Sequence, residues 1–337
     1  MVEVCSLNPT LGAQVGRVVK VLAEIDISHR NVVQEGHIAV RVPGRRVDYR
    51  VSFTPTVHGQ KLVLRILDLA NAPKFMRELD LPDWMNRTLH QVSRQDQGMV
   101  LVCGPTGSGK TTTLYAVIRN IDFKRRNVVT IEDPVEYQIE GVTQLPINED
   151  QGNSFHSLLR SVLRQDPDVI LVGEIRDLDT ARVAMQAAIT GHLVLSTLHT
   201  NTAPETITRL IDMGLDPFSF SDALLGILSQ RLARRLCHRC REEHIPTGPE
   251  YEELVGHLGE KIIDSAARLG RLKLWRSRGC RFCERTGYRG RLALHELLIN
   301  DDNIRSAMQR KASTAELRTI AEKAGMSTLL HDGFEKC

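Results

Sequence analysis

The sequence lacks several features that mark specialised classes of protein. Aromatic residues make up only 4% of its 337 residues, so aliphatic side chains must supply most of the core packing. No stretch approaches the roughly 18 apolar residues of a membrane span, and no basic segment followed by an apolar run marks a secretory signal. The formal charge is only +3, which is too small to indicate a nucleic-acid partner by itself. These absences predict a cytoplasmic globular protein whose contact with any membrane is peripheral.

The remaining composition is ordinary for a globular protein, with 42% hydrophobic and 25% charged residues. The length predicts about two domains of roughly 150 residues each. Seven cysteines in a cytosolic chain favour metal binding or free thiols over disulfides. Arginines cluster in 231–241 and 271–291. A solvated or salt-bridged face is the simpler interpretation, and contact with anionic lipid head groups or an acidic partner is the alternative.

Residues 1–70 have the pattern of a small α+β unit. Apolar residues at helical spacing predict a helix over Leu11–Ile27. Apolar or alternating runs predict three strands, His37–Val42, Arg46–Phe53 and Lys61–Leu67. Two prolines in 71–82 indicate a linker, which leads into a helix around Trp84–Gln95.

From Gly98 onward, apolar strands alternate with helical patterns. The predicted strands are Met99–Cys103, Val128–Glu132, Val169–Val172 and His192–Leu198, with helices Thr111–Asn120, Phe155–Leu163 and Asp179–Ile189 between them. This alternation predicts an α/β fold with an open, largely parallel sheet. Further helices are predicted at Ala203–Met213, Ser219–Leu236 and Leu294–Phe334. Within 237–290, only Tyr251–Arg268 is periodic.

A glycine-rich loop follows the first of these strands. It fits the pattern G-x-x-x-x-G-K-[ST] with Gly104, Pro105, Thr106, Gly107, Ser108, Gly109, Lys110 and Thr111. Glycines let backbone N–H groups converge on phosphate oxygens, and the start of the following helix adds a favourable dipole. Lys110 is expected to reach the β- and γ-phosphates, the Thr111 hydroxyl to coordinate Mg²⁺, and Thr112 to complete the site. The loop therefore predicts binding of ATP with Mg²⁺.

Hydrolysis also needs a carboxylate near the metal and the attacking water. Glu174 follows the apolar strand Val169–Val172, at the carboxyl end where ligands bind in such sheets. Glu132 ends a second strand and is the candidate general base. His192 and His199 bracket a third strand, and each is a candidate sensor of the γ-phosphate. The alternative interpretations are that Glu174 is a surface residue, that Glu132 belongs to a turn with capping acids, and that the two histidines are structural.

Four cysteines form two C-x2-C pairs, Cys237 with Cys240 and Cys280 with Cys283. The two thiolates of a pair can bind the same ion, and two pairs together supply the four ligands of one tetrahedral Zn²⁺ site. Four thiolates leave no open position for a substrate, so the zinc is expected to be structural. It would supply on the order of 10 kcal/mol of folding energy to a segment with little core. Free thiols are the alternative.

Together these motifs resemble those of the type II secretion and type IV pilus assembly ATPases over nearly the whole chain. The resemblance rests on the loop, on Thr130–Tyr137, Ile170–Asp177, Thr190–Asn201 and Thr286–Arg291, and on the four cysteines. It implies a RecA-like P-loop NTPase core behind a PAS-like domain, and a homo-hexamer that binds nucleotide between domains. It also implies that Glu174 is the Walker B glutamate, and that Arg50 and Arg65 move onto the phosphates.

The resemblance divides the chain into a partial PAS-like domain (1–70), a linker (71–82), a RecA-like core (83–236), a tetracysteine zinc subdomain (237–290) and a C-terminal helical region (291–337). It implies an ATP hydrolase that powers pseudopilus or pilus assembly at the cytoplasmic face of the bacterial inner membrane. The implied partners are inner-membrane platform and pilin-assembly proteins. The four cysteines favour an assembly or secretion ATPase over a pilus-retraction ATPase.

The chain departs from the family pattern at its N-terminus, which is expected to be shortened. One alternative is therefore an ATP-binding but inactive truncated paralogue. Another is a DNA-translocating motor, which the arginines of 231–241 would permit. Nucleic acid is nonetheless not the expected partner.

Overall fold

The structure is a computed structural model that describes residues 4–43, 45–68, 73–259, 263 and 273–336, with the backbone alone at 45, 46, 68, 150 and 258. The chain divides into two compact units, Met1–Ala72 and Pro73–Cys337. The predicted helix Tyr251–Arg268 is described only up to Gly259 and at Ile263, so most of its second half lies outside the described residues.

The first unit consists of one helix and a three-stranded antiparallel sheet. Helix α1 (Pro9–Leu22) is followed by strands β1 (Gln34–Val42), β2 (Arg45–Thr56) and β3 (Gly59–Asp68), which pair in the order β1-β2-β3. The Asn8 side chain caps α1 by accepting a hydrogen bond from a backbone N–H of its first turn at 2.8 Å. Val51 and Phe53 of β2 pack with Ala23 and Ile25. The three predicted strands are confirmed, and the PAS-like assignment stays a prediction.

The second unit is built around a seven-stranded sheet. Its first elements are α2 (Asp83–Val92), β4 (Gly98–Cys103), α3 (Lys110–Ile118), β5 (Val128–Glu132), β6 (Thr143–Pro146), α4 (Phe155–Val162), β7 (Val169–Val172), α5 (Leu178–Ile189), β8 (Leu193–Leu198) and α6 (Ala203–Asp212). The later elements are α7 (Pro217–Ala223), β9 (Leu224–Leu236), β10 (Arg241–His244), α8 (Pro249–Leu258), β11 (Leu274–Ser277), β12 (Tyr288–Ile299), α9 (Asp302–Gln309), α10 (Thr314–Lys323) and α11 (Leu329–Glu335). The strand order is β12-β9-β4-β8-β7-β5-β6. Among these described strands, only β12 runs antiparallel to its neighbour.

Burial on both faces explains why the parallel strands read as continuous apolar runs. Every residue of β4, β7 and β8 is buried. Helices α2 and α3 cover one face with side chains such as Met85 and Leu114. Helices α4 to α7, together with α9 and α10, cover the other face with side chains such as Leu159 and Ile207. The predicted α/β fold is confirmed, as a mixed sheet with one antiparallel strand at its edge.

The predicted helix Ser219–Leu236 is wrong over most of its length, because strand β9 begins at Leu224. Leu224 and Ile227 have helical spacing, but a central strand buried on both faces carries the same apolar run. The side chains in the first half of β9 are almost all buried, on both faces of the sheet, so this half has no solvent-facing side to produce alternation. Gly226 is the local signal against a helix. A Cβ there would lie 2.9 Å from the Leu298 oxygen of β12.

The prediction that Leu294–Phe334 is helical is also wrong at its start, which belongs to β12. The side chains of 295–298 are all buried, so this strand shows no alternation either. The predicted helical region 291–337 therefore begins with a strand of the central sheet. Helices α9 to α11 follow that strand. Among the helices of the described residues, none has both the length and the apolarity needed to cross a membrane.

Candidate functional site

The glycine-rich loop joins the end of β4 to the start of α3 and packs on strand β9. Gly104, Gly107 and Gly109 have φ angles of 148°, 79° and 90°, a region that residues with a Cβ rarely adopt. A Cβ at Gly104 would lie 2.4 Å from the Gln230 backbone oxygen. A Cβ at Gly109 would lie 2.7 Å from Gln230 Nε2. Glycine is therefore required at these two positions by the contact with β9 as well as by the backbone conformation.

The Lys110 ammonium group is held within the loop. Its Nζ donates hydrogen bonds to the carbonyl oxygens of Gly104 at 2.8 Å and Pro105 at 3.2 Å. Burial lowers the pKa of Lys110, and the charge of Glu174 opposes this shift. The structure thus places a cation where the sequence pattern predicts the phosphates.

The other loop residues also suit a phosphate and its metal. Thr106 and Gly107 are exposed at the tip of the loop, whereas Ser108 is buried. Within the described residues, Ser108 Oγ has no hydrogen-bond partner. Thr111 and Thr112 lie in the first turn of α3, where backbone N–H groups lack partners inside the helix. These donors and hydroxyls fit the phosphates of ATP and a Mg²⁺ ion.

Glu174 follows β7 at the same edge of the sheet as the loop. Its Oε1 accepts a hydrogen bond from Arg176, and its Oε2 lies 3.4 Å from His199 Nε2. Arg176 also lies 3.4 Å from a carboxylate oxygen of Asp133, which follows β5. Burial raises the pKa of Glu174, but the hydrogen bonds and charges of Arg176 and His199 outweigh it and lower the pKa. The structure therefore brings an ionised Glu174, His199 and Lys110 to one edge of the sheet.

Glu132 is a buried carboxylate with both oxygens in hydrogen bonds. It accepts from the Tyr115 hydroxyl, from Thr130 Oγ1 at 2.6 Å and from Gln144 Nε2 at 3.1 Å. Since Tyr115 lies on α3 and Gln144 on β6, Glu132 joins these elements to β5. Its role as a general base stays a prediction.

The two candidate histidines lie at opposite ends of β8. His199 follows the strand and contacts Glu174. His192 precedes the strand, where its Nδ1 lies 3.0 Å from the Ala187 carbonyl oxygen. A six-residue strand spans roughly 20 Å. The structure therefore does not bring His192 to the phosphate loop of the same chain.

Arg50 and Arg65 lie directly opposite each other on β2 and β3. His37 of β1 is the register partner of Arg50, so three basic residues form one row across the sheet. His37 Nε2 also lies 3.2 Å from a carboxylate oxygen of Asp48, so an acidic residue stands beside this row. The structure describes this row within the first unit, and its role toward phosphates stays a prediction.

The sequence analysis missed two residues of this site. Arg176 stands two positions after Glu174, and its place within the segment Ile170–Asp177 was the available signal. Gln230 interrupts the apolar run of β9, and its polarity within that run was the only sign. Both make hydrogen bonds to elements far away in the sequence, which local patterns do not reveal.

The four predicted metal ligands lie together beyond the carboxyl end of β9. The sulfur atoms of Cys237, Cys240, Cys280 and Cys283 all lie within 4.8 Å of one another. The Cys237–Cys280 and Cys240–Cys283 sulfur distances are 4.0 Å and 3.8 Å. A tetrahedral Zn²⁺ with bonds of about 2.3 Å places its sulfur ligands roughly 3.8 Å apart. The cluster therefore fits zinc.

Backbone amides stabilise one thiolate of the cluster. The N–H groups of Cys280 and Gly287 each donate to Cys283 Sγ at 3.2 Å. Burial raises the pKa of Cys283, but hydrogen bonds from these amides and from neighbouring thiols outweigh it and lower the pKa to about 6. A thiolate at neutral pH is the form that binds a metal.

Two groups of arginines with different contacts lie near the cysteine cluster. Ion pairs join Arg235 to Asp80, Arg276 to Glu250 and Arg278 to Glu242. Cation–π contacts join Arg234 to Tyr288, Arg239 and Arg289 to Phe282, and Arg241 to Trp275. The arginines in ion pairs fit the interpretation of a salt-bridged face. For the arginines that contact aromatic rings, an anionic lipid or an acidic partner stays a prediction.

A phosphate loop between a strand and a helix, beside a carboxylate at the end of a neighbouring parallel strand, defines the class of P-loop nucleoside triphosphatases. The chain belongs to the type II/IV secretion system protein family, whose sequence model matches residues 1–337. It is 44% identical over 315 residues to the type II secretion system protein HxcR of Pseudomonas aeruginosa, covering 94% of this chain and 61% of the relative. It is also 44% identical over 319 residues to the type IV pilus assembly ATPase PilB of Thermus thermophilus, covering 95% of this chain and 35% of the relative.

A solved structure supports the same conclusion. The pilus retraction motor PilT with bound ADP matches with a TM-score of 0.63 and 29% identity, over 95% of this chain and 83% of that one. The chain spans about three-fifths of the length of the type II secretion relatives that it matches. The predicted family is confirmed. The predicted enzyme class, an ATP hydrolase, is confirmed as that of the family.

Proposed function

We propose that this chain is the ATP-hydrolysing part of a hexameric motor that powers assembly of a type II secretion pseudopilus or a type IV pilus. One observation carries the proposal. Strands β4 and β7 run parallel on either side of β8, so the loop that follows β4 and Glu174 that follows β7 lie at the same edge of the sheet. Mg²⁺-dependent phosphoryl transfer requires a cation at the phosphates and a carboxylate near the metal and water.

The residues at this edge take distinct roles in the proposal. The loop N–H groups and Lys110 bind the β- and γ-phosphates, and the Thr111 hydroxyl holds Mg²⁺. When bound, Mg²⁺ neutralises the charge that develops on the phosphate oxygens. Glu174 orients the attacking water, and His199 stays hydrogen bonded to Glu174. Glu132 is the candidate general base of this proposal, held by Tyr115, Thr130 and Gln144.

Arg50 and Arg65 supply positive charge from the first unit, and we propose that they contact the phosphates of ATP. An arginine that reaches the phosphates contributes about 10³–10⁵ in rate in other nucleotide hydrolases.

The zinc site has a structural role in this proposal. Four thiolates saturate a tetrahedral ion and leave no position for water or substrate. Zinc therefore folds the segment between β9 and β12 and takes no part in hydrolysis. The names of the relatives, which refer to type II secretion and pilus assembly, support the proposed pathway. The hexamer, the inner-membrane platform and pilin partners, and the cytoplasmic face of the inner membrane belong to the same proposal.

Phosphate release by the purified protein at increasing protein concentration tests the proposal. We expect Mg²⁺-dependent ATPase activity that rises with oligomer size. Lys110→Ala is expected to abolish nucleotide binding, and Glu174→Gln to lower the rate by at least about a hundredfold while nucleotide still binds. Lys124→Ala, an exposed lysine after α3, is the matched control.

Two outcomes would overturn the proposal. A wild-type rate equal to that of Lys110→Ala in every oligomeric state would indicate an inactive ATP-binding paralogue. ATPase activity that depends on added DNA, with a steep dependence on salt, would indicate a DNA-translocating motor instead.

A further inference from the structure

Gln230 is a buried polar residue of β9 whose two hydrogen bonds both end on the nucleotide site. Only 2% of the residue is exposed. Its Nε2 donates to the Ser108 carbonyl oxygen at 2.7 Å, and its Oε1 accepts from Thr113 Oγ1 at 2.6 Å. Ser108 belongs to the loop and Thr113 to the first turn of α3. One side chain on β9 therefore holds both elements that bind the phosphates.

The contact with Ser108 also orients the next peptide group. The Ser108 carbonyl and the Gly109 N–H belong to one planar trans peptide, so the two bonds point in opposite directions. Because Gln230 holds the carbonyl toward β9, the Gly109 N–H points away from β9. Within the described part of the chain, this N–H has no hydrogen-bond partner. It lies at the start of α3, where such donors bind anions.

We propose that Gln230 is a positioning residue for nucleotide binding, which aims the Gly109 N–H at a phosphate oxygen. The inference rests on the proposed function, because it assumes that the loop binds a nucleotide. It also gives a reason for the glycine that follows Ser108, because a Cβ at Gly109 would lie 2.7 Å from Gln230 Nε2.

The test compares two carboxamides that each hold backbone carbonyls, Gln230 in the middle of β9 and Asn300 beside its amino end. Asn300 is the matched control, because its Nδ2 donates to the Ser221 and Leu224 carbonyl oxygens at 2.8 Å and 2.7 Å, at the amino end of the strand. Affinity for Mg·ADP is measured by titration calorimetry for Gln230→Leu and Asn300→Leu. Thermal unfolding without nucleotide measures the stability of the same variants.

We expect Gln230→Leu to weaken Mg·ADP binding by about tenfold, since one hydrogen bond to a charged group is lost or misdirected. Asn300→Leu is expected to lower the unfolding temperature while leaving the Mg·ADP affinity within about twofold of wild type. Addition of Mg·ADP should also shift the Gly109 amide proton resonance downfield in wild type, and less so in Gln230→Leu. If Gln230→Leu does not fold, Gln230→Met, which matches glutamine in length, is expected to show the same loss of affinity.

Wild-type affinity in the Gln230 variants would overturn the inference and leave the proposed function intact. Equal losses of affinity in the Gln230 and Asn300 variants would also overturn it, because they would show a general effect of stability. Absence of Mg·ADP binding by the wild-type protein would overturn the inference and the proposed function together.

Discussion

Loss of metal from the cysteine cluster is expected to unfold the segment between β9 and β12. In the described part of this segment, the cysteines pack only with the partly buried Phe282, and a second small cluster forms around Ile263. Two such small clusters offer little apolar surface for an independent fold. Zinc would supply on the order of 10 kcal/mol of folding energy. An equal share of that among the four thiolates is about 2.5 kcal/mol. This value corresponds to a loss in zinc affinity on the order of a hundredfold.

Cys283→Ser tests this expectation, with Cys5→Ser as the matched control because Cys5 is an exposed thiol outside the cluster. Mass spectrometry measures the zinc content of each protein. Trypsin, which cleaves after arginine and lysine, is expected to cut near the cysteines, at the arginines of 239–241 and 276–285, after Cys283→Ser or after chelation. The same sites should resist trypsin in the zinc-bound protein. Mg·ADP binding should survive in all of these proteins, because the phosphate loop does not touch the cluster.

A wild-type protein that carries no zinc, and that gives the same tryptic fragments with and without a chelator, would refute this reasoning. The fragments would then show that the segment folds from its own side-chain contacts.

Three further predictions concern buried groups of the second unit. Tyr115→Phe removes the hydroxyl that donates to Glu132 and should lower the free energy of unfolding by about 2 kcal/mol, measured by urea denaturation. Burial and the charge of Lys336 lower the pKa of His295 to about 3. The unfolded chain therefore binds the extra proton as pH falls from about 6.5, so stability should decrease between about pH 6.5 and pH 3 by up to about 1.4 kcal/mol per pH unit, and His295→Gln should flatten this slope. Gly226→Ala places a Cβ 2.9 Å from the Leu298 oxygen, and calorimetry should show a loss of about 1–3 kcal/mol.

Each of these predictions has a contradicting result. Unchanged stability of Tyr115→Phe would show that the hydroxyl contributes nothing to holding Glu132. A wild-type pH slope equal to that of His295→Gln would show that His295 is protonated in the folded state. A Gly226→Ala protein as stable as wild type would show that β9 and β12 can separate locally without cost.

The features that could be predicted from the sequence are those that depend on neighbouring residues. The loop from Gly104 to Thr111 needs particular backbone angles and a strand and helix on either side, and all of these leave local patterns. The cysteine pairs are similar, because each pair needs only a short fixed spacing. Glu174 could be placed because the end of an apolar parallel strand marks the ligand-binding edge.

The features that could not be predicted depend on contacts between distant parts of the chain. Strands β9 and β12 resemble helices in sequence because burial on both faces removes their alternation. Gln230 contacts Ser108, which stands 122 positions earlier, and no local pattern marks such a pair. Glu132 could be identified as a buried acid at a strand end, but its partner Tyr115 depends on how α3 packs.

The pairing of β9 with β12 has a consequence for the history of this chain. Leu236 and Tyr288 are register partners, so everything between them is, in topological terms, the loop of one antiparallel hairpin. A loop of any length can close such a hairpin without changing the order or direction of the other strands. The cysteine-bearing segment could therefore be gained or lost in a single step, with the sheet and the phosphate loop left intact.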